Sequence, residues 1–299
     1  MITNLLFSVL SGQFELFAGY ELRRGDNDKK KIWGGSSHPD TYSHVEELQL
    51  ILKKVGTYVA KVDGDFGGKT DLALKLFQSN AKTIPYRIKN GSTVTVKPTF
   101  HEAVSGKTTK ATRRELAIWS SNTYQATGDL IRLKATTYSN IELNPSFKLL
   151  RNQHVTKGEF VVSVSLLPYI KTMNIEAKKL GLKIVINQSL RQLGIPPKGA
   201  VVTPAKRSQH YIGHAVDVNI VDGSNWNTSA TFKAQKATNS AKLFIAAMKK
   251  AGLRWGGNFS KMDSPHFDRK LDASTFEYEA KHFFNQTSNS NNHILPLVI

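Results

Sequence analysis

The stretch SQHYIGHAVDV, Ser208 to Val218, sets His210, His214 and Asp217 within eight residues of one another. Imidazole nitrogens and carboxylate oxygens are metal ligands, and the chain has no cysteine to offer thiolate instead. Cysteine zinc sites, thiol nucleophiles and disulfides are therefore excluded, and any metal must be held by His, Asp or Glu. On a helix the three residues would fall at i, i+4 and i+7 and share a face. Gly213 inside the stretch argues against a helix, as does the alternation of Val216, Val218 and Ile220 with Asp217 and Asn219, which is the period of a half-buried strand. The segment reads as a loop, a bend at Gly213 and a strand. Asp217 then stands on the polar face, His210 reaches the same point from the loop, and His214 need not face it. A third ligand is needed, and RWGGNFSKMDSPHFD supplies His266, with Asp263 three residues earlier. Pro265 forces Ser264 into an extended or turn conformation, so Asp263 can project beside His266 without sharing its metal. Two histidines and a carboxylate leave the fourth position of a zinc ion open, the arrangement of a catalytic site rather than a structural one. The other six histidines, His38, His44, His101, His154, His282 and His293, stand alone among polar residues and read as surface groups.

The elements that must position these residues follow from periodicity. Leu166–Leu182 has helical spacing with a glycine stop, Lys183–Asn187 is a β-branched strand, Ala215–Val221 is another, and Ala237–Leu253 is a second helix ended near Gly252. This irregular alternation predicts an α+β domain with a small mixed or antiparallel sheet and flanking helices. There is no GxGxxG after a strand and no GxxxxGK[ST], so a doubly wound nucleotide fold is not indicated. Nearer the N-terminus, Val45, Leu48, Leu52 and Val55 lie at helical spacing before Gly56. A Gly-rich turn, VDGDFGGKT, leads to a second helix over Thr70–Lys82, with Thr70 as its N-cap and Leu72, Leu76 and Phe77 facing inward. Residues 84–144 mix expected strands, STVTVKP and DLIRLKATTY, with a basic helix around TKATRRELAIW, and read as a linker subdomain or as an extension of either neighbour.

Composition bounds the partners. Forty-one Lys and Arg oppose 23 Asp and Glu, a net charge of +18 in 299 residues, so an anionic partner is expected: nucleic acid, or a bacterial envelope rich in phosphate and carboxylate. No apolar run reaches the roughly 18–20 residues that span a bilayer. MITNLLFSVLSG has no Lys or Arg before its apolar part and fits a secretory signal poorly. The ending NQTSNSNNHILPLVI reads as a loose terminus.

Two resemblances sharpen this picture. The order Leu48-Gln49, Asp63-Gly64-x-Phe66-Gly67-x-x-Thr70 and Phe77-Gln78 resembles the peptidoglycan-binding domain of cell-wall hydrolases. It implies wall binding through Asp63, Gly64, Phe66, Gly67, Thr70 and Gln78. Further on, SQHYIGHAVD resembles the SxHxxGxAxD motif, and DSPHF the DxxH motif, of the zinc D-alanyl-D-alanine carboxypeptidases and L-alanyl-D-glutamate endopeptidases, with their hedgehog/DD-peptidase-like fold. INQSLRQLG, GAVVTPAKRSQH and GLRWGGNF extend the likeness to roughly residues 145 to 275. It implies Zn2+ held by His210, Asp217 and His266, Asp263 as general base, and Arg191 stabilising the oxyanion. SLRQLG departs from the more usual Ser-Gly-Tyr-Arg wording around that arginine. Ser208 positions the loop, and Trp255 lines the cleft or fills the core.

The expected organisation is an N-terminal extension (1–40), a wall-binding domain (41–83), a basic connecting region (84–144), a zinc peptidase domain (145–280) and a tail (281–299). The expected protein is a monomeric peptidoglycan hydrolase without a transmembrane segment. It acts in the periplasm or wall after release or delivery, as a phage endolysin or a wall-degrading toxin does. GAVVTPAK and GLRWGGNF lean towards the endopeptidase branch over the carboxypeptidases. The rivals are a non-enzymatic wall-binding protein, which loss of a ligand would have favoured, and a nucleic-acid binder, which the charge suggests but which leaves the zinc constellation unexplained.

Overall fold

The computed structural model describes residues 16–39, 41–58, 60–127, 130–147, 158–191, 207–279 and 295–298. The chain divides into two compact units, Met1–Gly128 and Asp129–Ile299.

In the first unit a short hairpin of β1 (Ile32–Trp33) and β2 (Ser36–Ser37) precedes α1 (His44–Lys54) and α2 (Gly68–Thr83). A second hairpin, β3 (Tyr86–Lys89) with β4 (Ser92–Thr95), leads to α3 (Lys110–Ser121). The N-terminal segment is not an appendage. Asp28 accepts hydrogen bonds from Val45 N (3.0 Å) and Glu46 N (2.9 Å) and so satisfies the first turn of α1 from outside the helix. It also accepts from Trp33 Nε1 at 2.7 Å. His44, read from sequence as a surface group, is buried against Trp33 and Tyr20, with ring centroids 4.8 and 5.0 Å away. His38 is half-buried beside Trp33, and His101 is exposed; His154, His282 and His293 lie outside the described residues.

The inward face of α1 is the expected one: Val45, Leu48 and Leu52 are buried, as is Val55 beyond it. In α2 the expectation is corrected twice. The helix starts at Gly68 with Gly67 as N-cap, so Thr70 lies inside it. Its buried face is Ala73, Leu74, Phe77 and Ala81, while Leu72 and Leu76 are only partly covered. The shift follows from Thr70, which donates to Asp65 O (3.3 Å) and accepts from the buried Gln49 amide (3.1 Å), fixing the rotation of the first turn.

Two glutamines do the same work at two places. Gln49 Oε1 accepts from Asp63 N and Gly64 N (2.9 and 3.1 Å), and its Nε2 donates to Asp65 O and Thr70 Oγ1 (3.0 and 3.1 Å). Gln78 Oε1 accepts from Ser105 N and Gly106 N (3.0 and 2.9 Å), and its Nε2 donates to Lys107 O and Thr112 Oγ1 (2.9 and 3.0 Å). Each glutamine clamps the glycine turn that leads into the next helix. α3 thus continues the α1–α2 pattern, and residues up to 127 pack with the first unit instead of forming a connecting region.

The second unit holds two sheets. The smaller joins β5 (Leu130–Lys134) antiparallel to β7 (Glu159–Ser163) and parallel to β13 (Leu295–Val298), so the terminus expected to be loose contributes a strand. The larger runs β11 (Arg254–Trp255), β12 (His266–Asp268), β9 (Ala215–Asp222), β8 (Leu182–Gln188), β6 (Ile141–Leu143), and β10 (Asn225–Asn227) also pairs with β9. All its pairs are antiparallel except β6 with β8. One face is covered by α4 (Leu167–Lys179) and α6 (Asn239–Lys250), which bury Ile170, Met173, Phe244 and Met248 against Ile184, Ile186, Val216, Val218 and Ile220. Two short helices, α5 (Ser229–Lys233) and α7 (Ala273–Glu279), complete the unit. The mixed sheet with flanking helices is the expected α+β fold, and β6 within it shows that residues 141–143 belong to this unit.

Candidate metal centre

Three local devices bring the site together. The first is the turn Gln209–Ile212, a single 3-10 turn closed by Gly213 in the left-handed region (φ 72°). A Cβ on Gly213 would stand 2.6 Å from Ser163 N and 2.7 Å from Leu130 Cδ2, so only glycine lets the turn sit this close to β7. Tyr211 and Ile212 bury into a cluster with Leu130, Val161, Leu190 and Phe276, which anchors the turn and aims His210 at the sheet. Ser208 contributes its carbonyl, which accepts from Tyr211 N at 3.0 Å, in keeping with a positioning role.

The second device is register. His266 on β12 lies directly opposite Asp217 on β9, and Gln188 on β8 faces Asp217 from the other side. The third is the loop before β12. Gly256 O accepts from Asp263 N at 2.9 Å, and a Cβ on Gly256 would fall 2.1 Å from Asp263 O. Trp255, which sequence left between cleft and core, braces this loop: it is half-buried, its Nε1 donates to Ser264 O at 2.7 Å, and Phe232 packs edge-on against it.

At the centre, His210 Nε2, His266 Nδ1 and Asp217 Oδ1 converge, each histidine nitrogen 3.0 Å from the carboxylate oxygen and 3.1 Å from the other nitrogen. The outer partners determine which nitrogen carries hydrogen. His210 Nδ1 lies 2.6 Å from Ser189 O, which only accepts, so Nδ1 is protonated and the Nε2 lone pair faces the centre. His266 Nε2 lies 3.0 Å from the Asp268 carboxylate, which fixes the opposite tautomer and turns Nδ1 inward. Tetrahedral zinc with bonds of roughly 2.0–2.1 Å separates its ligand atoms by about 3.3 Å, close to the spacing here. Donor types, tautomers and separations all fit a zinc ion, and among the described residues this is the one group of three or more such side chains placed to hold a metal.

The electrostatics follow from burial. Burial works against ionisation of Asp217, yet His210, His266 and Arg191 outweigh it and hold its pKa well below the usual carboxylate value. His210 is pushed down, chiefly by burial. His266 is raised to about 9 despite its burial, because Asp217 and Asp268 both bind its protonated form. Asp263 is raised, first by burial and then by the charge of Asp217. Arg191 donates through Nη2 to Asp217 Oδ2 at 2.5 Å and through Nε to Gln188 Oε1. Among the described residues its other three N–H donors meet no acceptor.

His214 is buried on the far side of the turn with Nε2 3.3 Å from Ser165 Oγ, so it does not join the centre. Sequence reasoning missed Ser189, Gln188 and Asp268. Asp268, two residues after His266 on one strand, was the detectable one, since positions i and i+2 share a face. Asp268 is tied in turn to Arg254 by two hydrogen bonds, 2.8 and 2.5 Å.

The residues assigned to wall binding are not gathered into a surface. Phe66, Thr70 and Gln78 are buried, Gly64 is buried, Gly67 is partly covered, and Asp63 is exposed but accepts from Gln49 Nε2 at 2.9 Å. Their visible role is to build the turn between α1 and α2.

The α+β fold thus carries a three-residue centre that could hold a metal, with Asp263, whose pKa is raised, among the groups around it. Residues 202–269 match the family described as D-alanyl-D-alanine carboxypeptidase, and residues 41–83 match a peptidoglycan binding domain. The chain thus carries a match to a peptidoglycan-binding domain followed by a match to a peptidase family, the order its motifs imply. Among curated proteins none matches the chain. The peptidase match spans His210, Asp217, Asp263 and His266 but stops short of Arg191, whose place rests on the geometry above. GAVVTPAK falls on residues 199–206, outside the described residues.

Proposed function

We propose that the protein is a zinc-dependent peptidoglycan peptidase that cuts wall stem peptides, with the L-alanyl-D-glutamate bond as substrate. The observation that carries this is the convergence of His210 Nε2, His266 Nδ1 and Asp217 Oδ1, with both outward nitrogens held by acceptors. His210, Asp217 and His266 would hold the ion; when bound, it supplies Lewis acidity that polarises the scissile carbonyl and lowers the pKa of water. Asp263 takes the proton of the attacking water and returns it to the leaving amine, and its raised pKa brings it nearer the working pH than an ordinary aspartate. Arg191 holds positive charge beside the centre, with donors to spare for the oxygen on which negative charge grows. Asp268 and Ser189 keep the two imidazoles from rotating.

The likeness of GLRWGGNF to the endopeptidase branch supports the endopeptidase choice. The description of the matched family favours the D-alanyl-D-alanine carboxypeptidase reading. Mass spectrometry of digested peptidoglycan separates them: a new N-terminal D-glutamate means endopeptidase, and free D-alanine means carboxypeptidase. Neither product from zinc-loaded protein would leave a wall-binding protein without enzymatic activity. The net charge of +18 suits an anionic wall. We place the site of action in the periplasm or wall, reached by phage lysis or by a secretion machine.

A further inference from the structure

The face of the large sheet opposite α4 and α6 carries a row of amides that the proposed chemistry does not use. Asn219 is two residues beyond Asp217 on β9 and shares its face. On β8, Val185 lies opposite Asn219, and Asn187 follows on the same face where a bulge shifts the register between Ile186 and Gln188. Asn144, just after β6, completes the row: its Nδ2 donates to Asn187 Oδ1 at 2.9 Å, and Asn219 Nδ2 donates to the same oxygen at 3.3 Å. All three side chains are partly exposed. Asn187 Oδ1 is saturated by two donors, which orients its amide and leaves Asn187 Nδ2 and Asn219 Oδ1 without a protein partner among the described residues.

We propose that this row is a substrate-binding subsite in which Asn187 Nδ2 and Asn219 Oδ1 hold one peptide unit of the stem peptide beside the metal centre. A donor and an acceptor side by side match the carbonyl and N–H of an extended backbone. Neutral amides hold that backbone without adding charge next to Asp217 and Asp263. The neighbours enforce the alignment: Asn144 is itself fixed, its Oδ1 accepting from Ser146 N (2.9 Å) and Ser146 Oγ (2.7 Å). Asn187 and Asn219 bind the substrate directly here while Asn144 positions them, and the inference rests on the peptidase reading above.

The test uses the full zinc-loaded chain and a purified peptidoglycan stem peptide. Asn187→Ala and Asn219→Ala should each raise KM about three- to tenfold, one lost hydrogen bond's worth, and leave kcat within about twofold. Zinc content should stay at the wild-type value. Asn187→Asp, nearly isosteric, removes the donor and should raise KM at least as much, which keeps the test valid if an alanine variant folds poorly. Calorimetric titration of the same peptide into zinc-loaded Asp263→Asn protein, with and without Asn187→Ala, should show the same loss of affinity for the doubly substituted chain without turnover. Unchanged KM and affinity in a folded variant would overturn the subsite, as would a lowered melting temperature with binding intact, which marks mere bracing of the strands. A wild-type protein that neither binds nor cuts the peptide would instead refute the peptidase reading on which the subsite depends.

Discussion

His266 is held between two carboxylates, Asp217 and Asp268, each 3.0 Å from one ring nitrogen. In chelator-treated protein this raises its pKa to about 9, above the ordinary value of 6.5. The stabilisation from its protonated form is complete below the unfolded pKa and is lost as pH rises through about 9. Melting of the metal-free protein should therefore fall between pH 7 and pH 10, and zinc-loaded protein, in which the ion takes the proton's place, should lack that fall. Zinc uptake at neutral pH should release protons, measurable in weakly buffered solution. Asp268→Asn removes the carboxylate behind His266 and should weaken zinc binding about 10- to 100-fold. His266→Ala should abolish it, whereas His214→Ala should keep one zinc per chain. Asp263 shifts in the costly direction: its raised pKa means that the ionised form, present at neutral pH, destabilises the fold. Asp263→Asn should thus melt higher than wild type, retain zinc and lose turnover. In the active protein kcat/KM should fall on the acid side at a pH above the ordinary aspartate value of about 3.9.

Turns and clamps decide whether these side chains meet. Gly213→Ala places a Cβ 2.6 Å from Ser163 N and forces an L residue to φ 72°, a backbone cost of roughly 1–3 kcal/mol before the clash is counted. It should lower the melting temperature of the second unit and its zinc content together. The first unit has a parallel weakness in Gln49 and Gln78, each buried with both ends of its amide hydrogen-bonded to a glycine turn. Gln49→Ala leaves several of those groups unpaired and should cost about 3 kcal/mol or more, read by chemical denaturation of the isolated first unit. The sequence pattern Asp63-Gly64-x-Phe66-Gly67 was legible as a Gly-rich turn and as a motif, but the buried Gln49 clamp that holds the turn was not. A motif reports which residues recur together, and only the partners of Thr70 and Gln78 reveal that they face inward.

The division of the chain at Gly128 and Asp129 has consequences for what each half can do alone. The ligand set, Asp263 and Arg191 all lie in the second unit, so a chain comprising residues 129–299 should bind one zinc and cleave soluble stem peptides. Deleting the first unit should instead reduce sedimentation with insoluble wall and slow lysis of intact sacculi. Wall binding by the full chain should weaken as salt rises, as expected of a net charge of +18 meeting an anionic polymer. The boundary was hard to read beforehand because residues 84–144 have no contrast in composition that marks it. Their helix is claimed by Gln78 through a contact 34 residues distant, and their later strands by pairing with β7 and β8.

Local sequence was enough to single out His210, Asp217 and His266, which the fold brings to one point, because a glycine bend, a two-residue alternation and a proline each act on their immediate neighbours. The α+β class followed from the same short-range periodicities. What needed the folded chain was every relation made across strands and turns: His266 opposite Asp217, Arg191 on the other oxygen with Gln188 holding its Nε, Ser189 behind His210, and the amides of Asn144, Asn187 and Asn219 brought to one face. Register is fixed by which apolar faces pack against α4 and α6. That choice belongs to the assembled core, and no window of a dozen residues contains it.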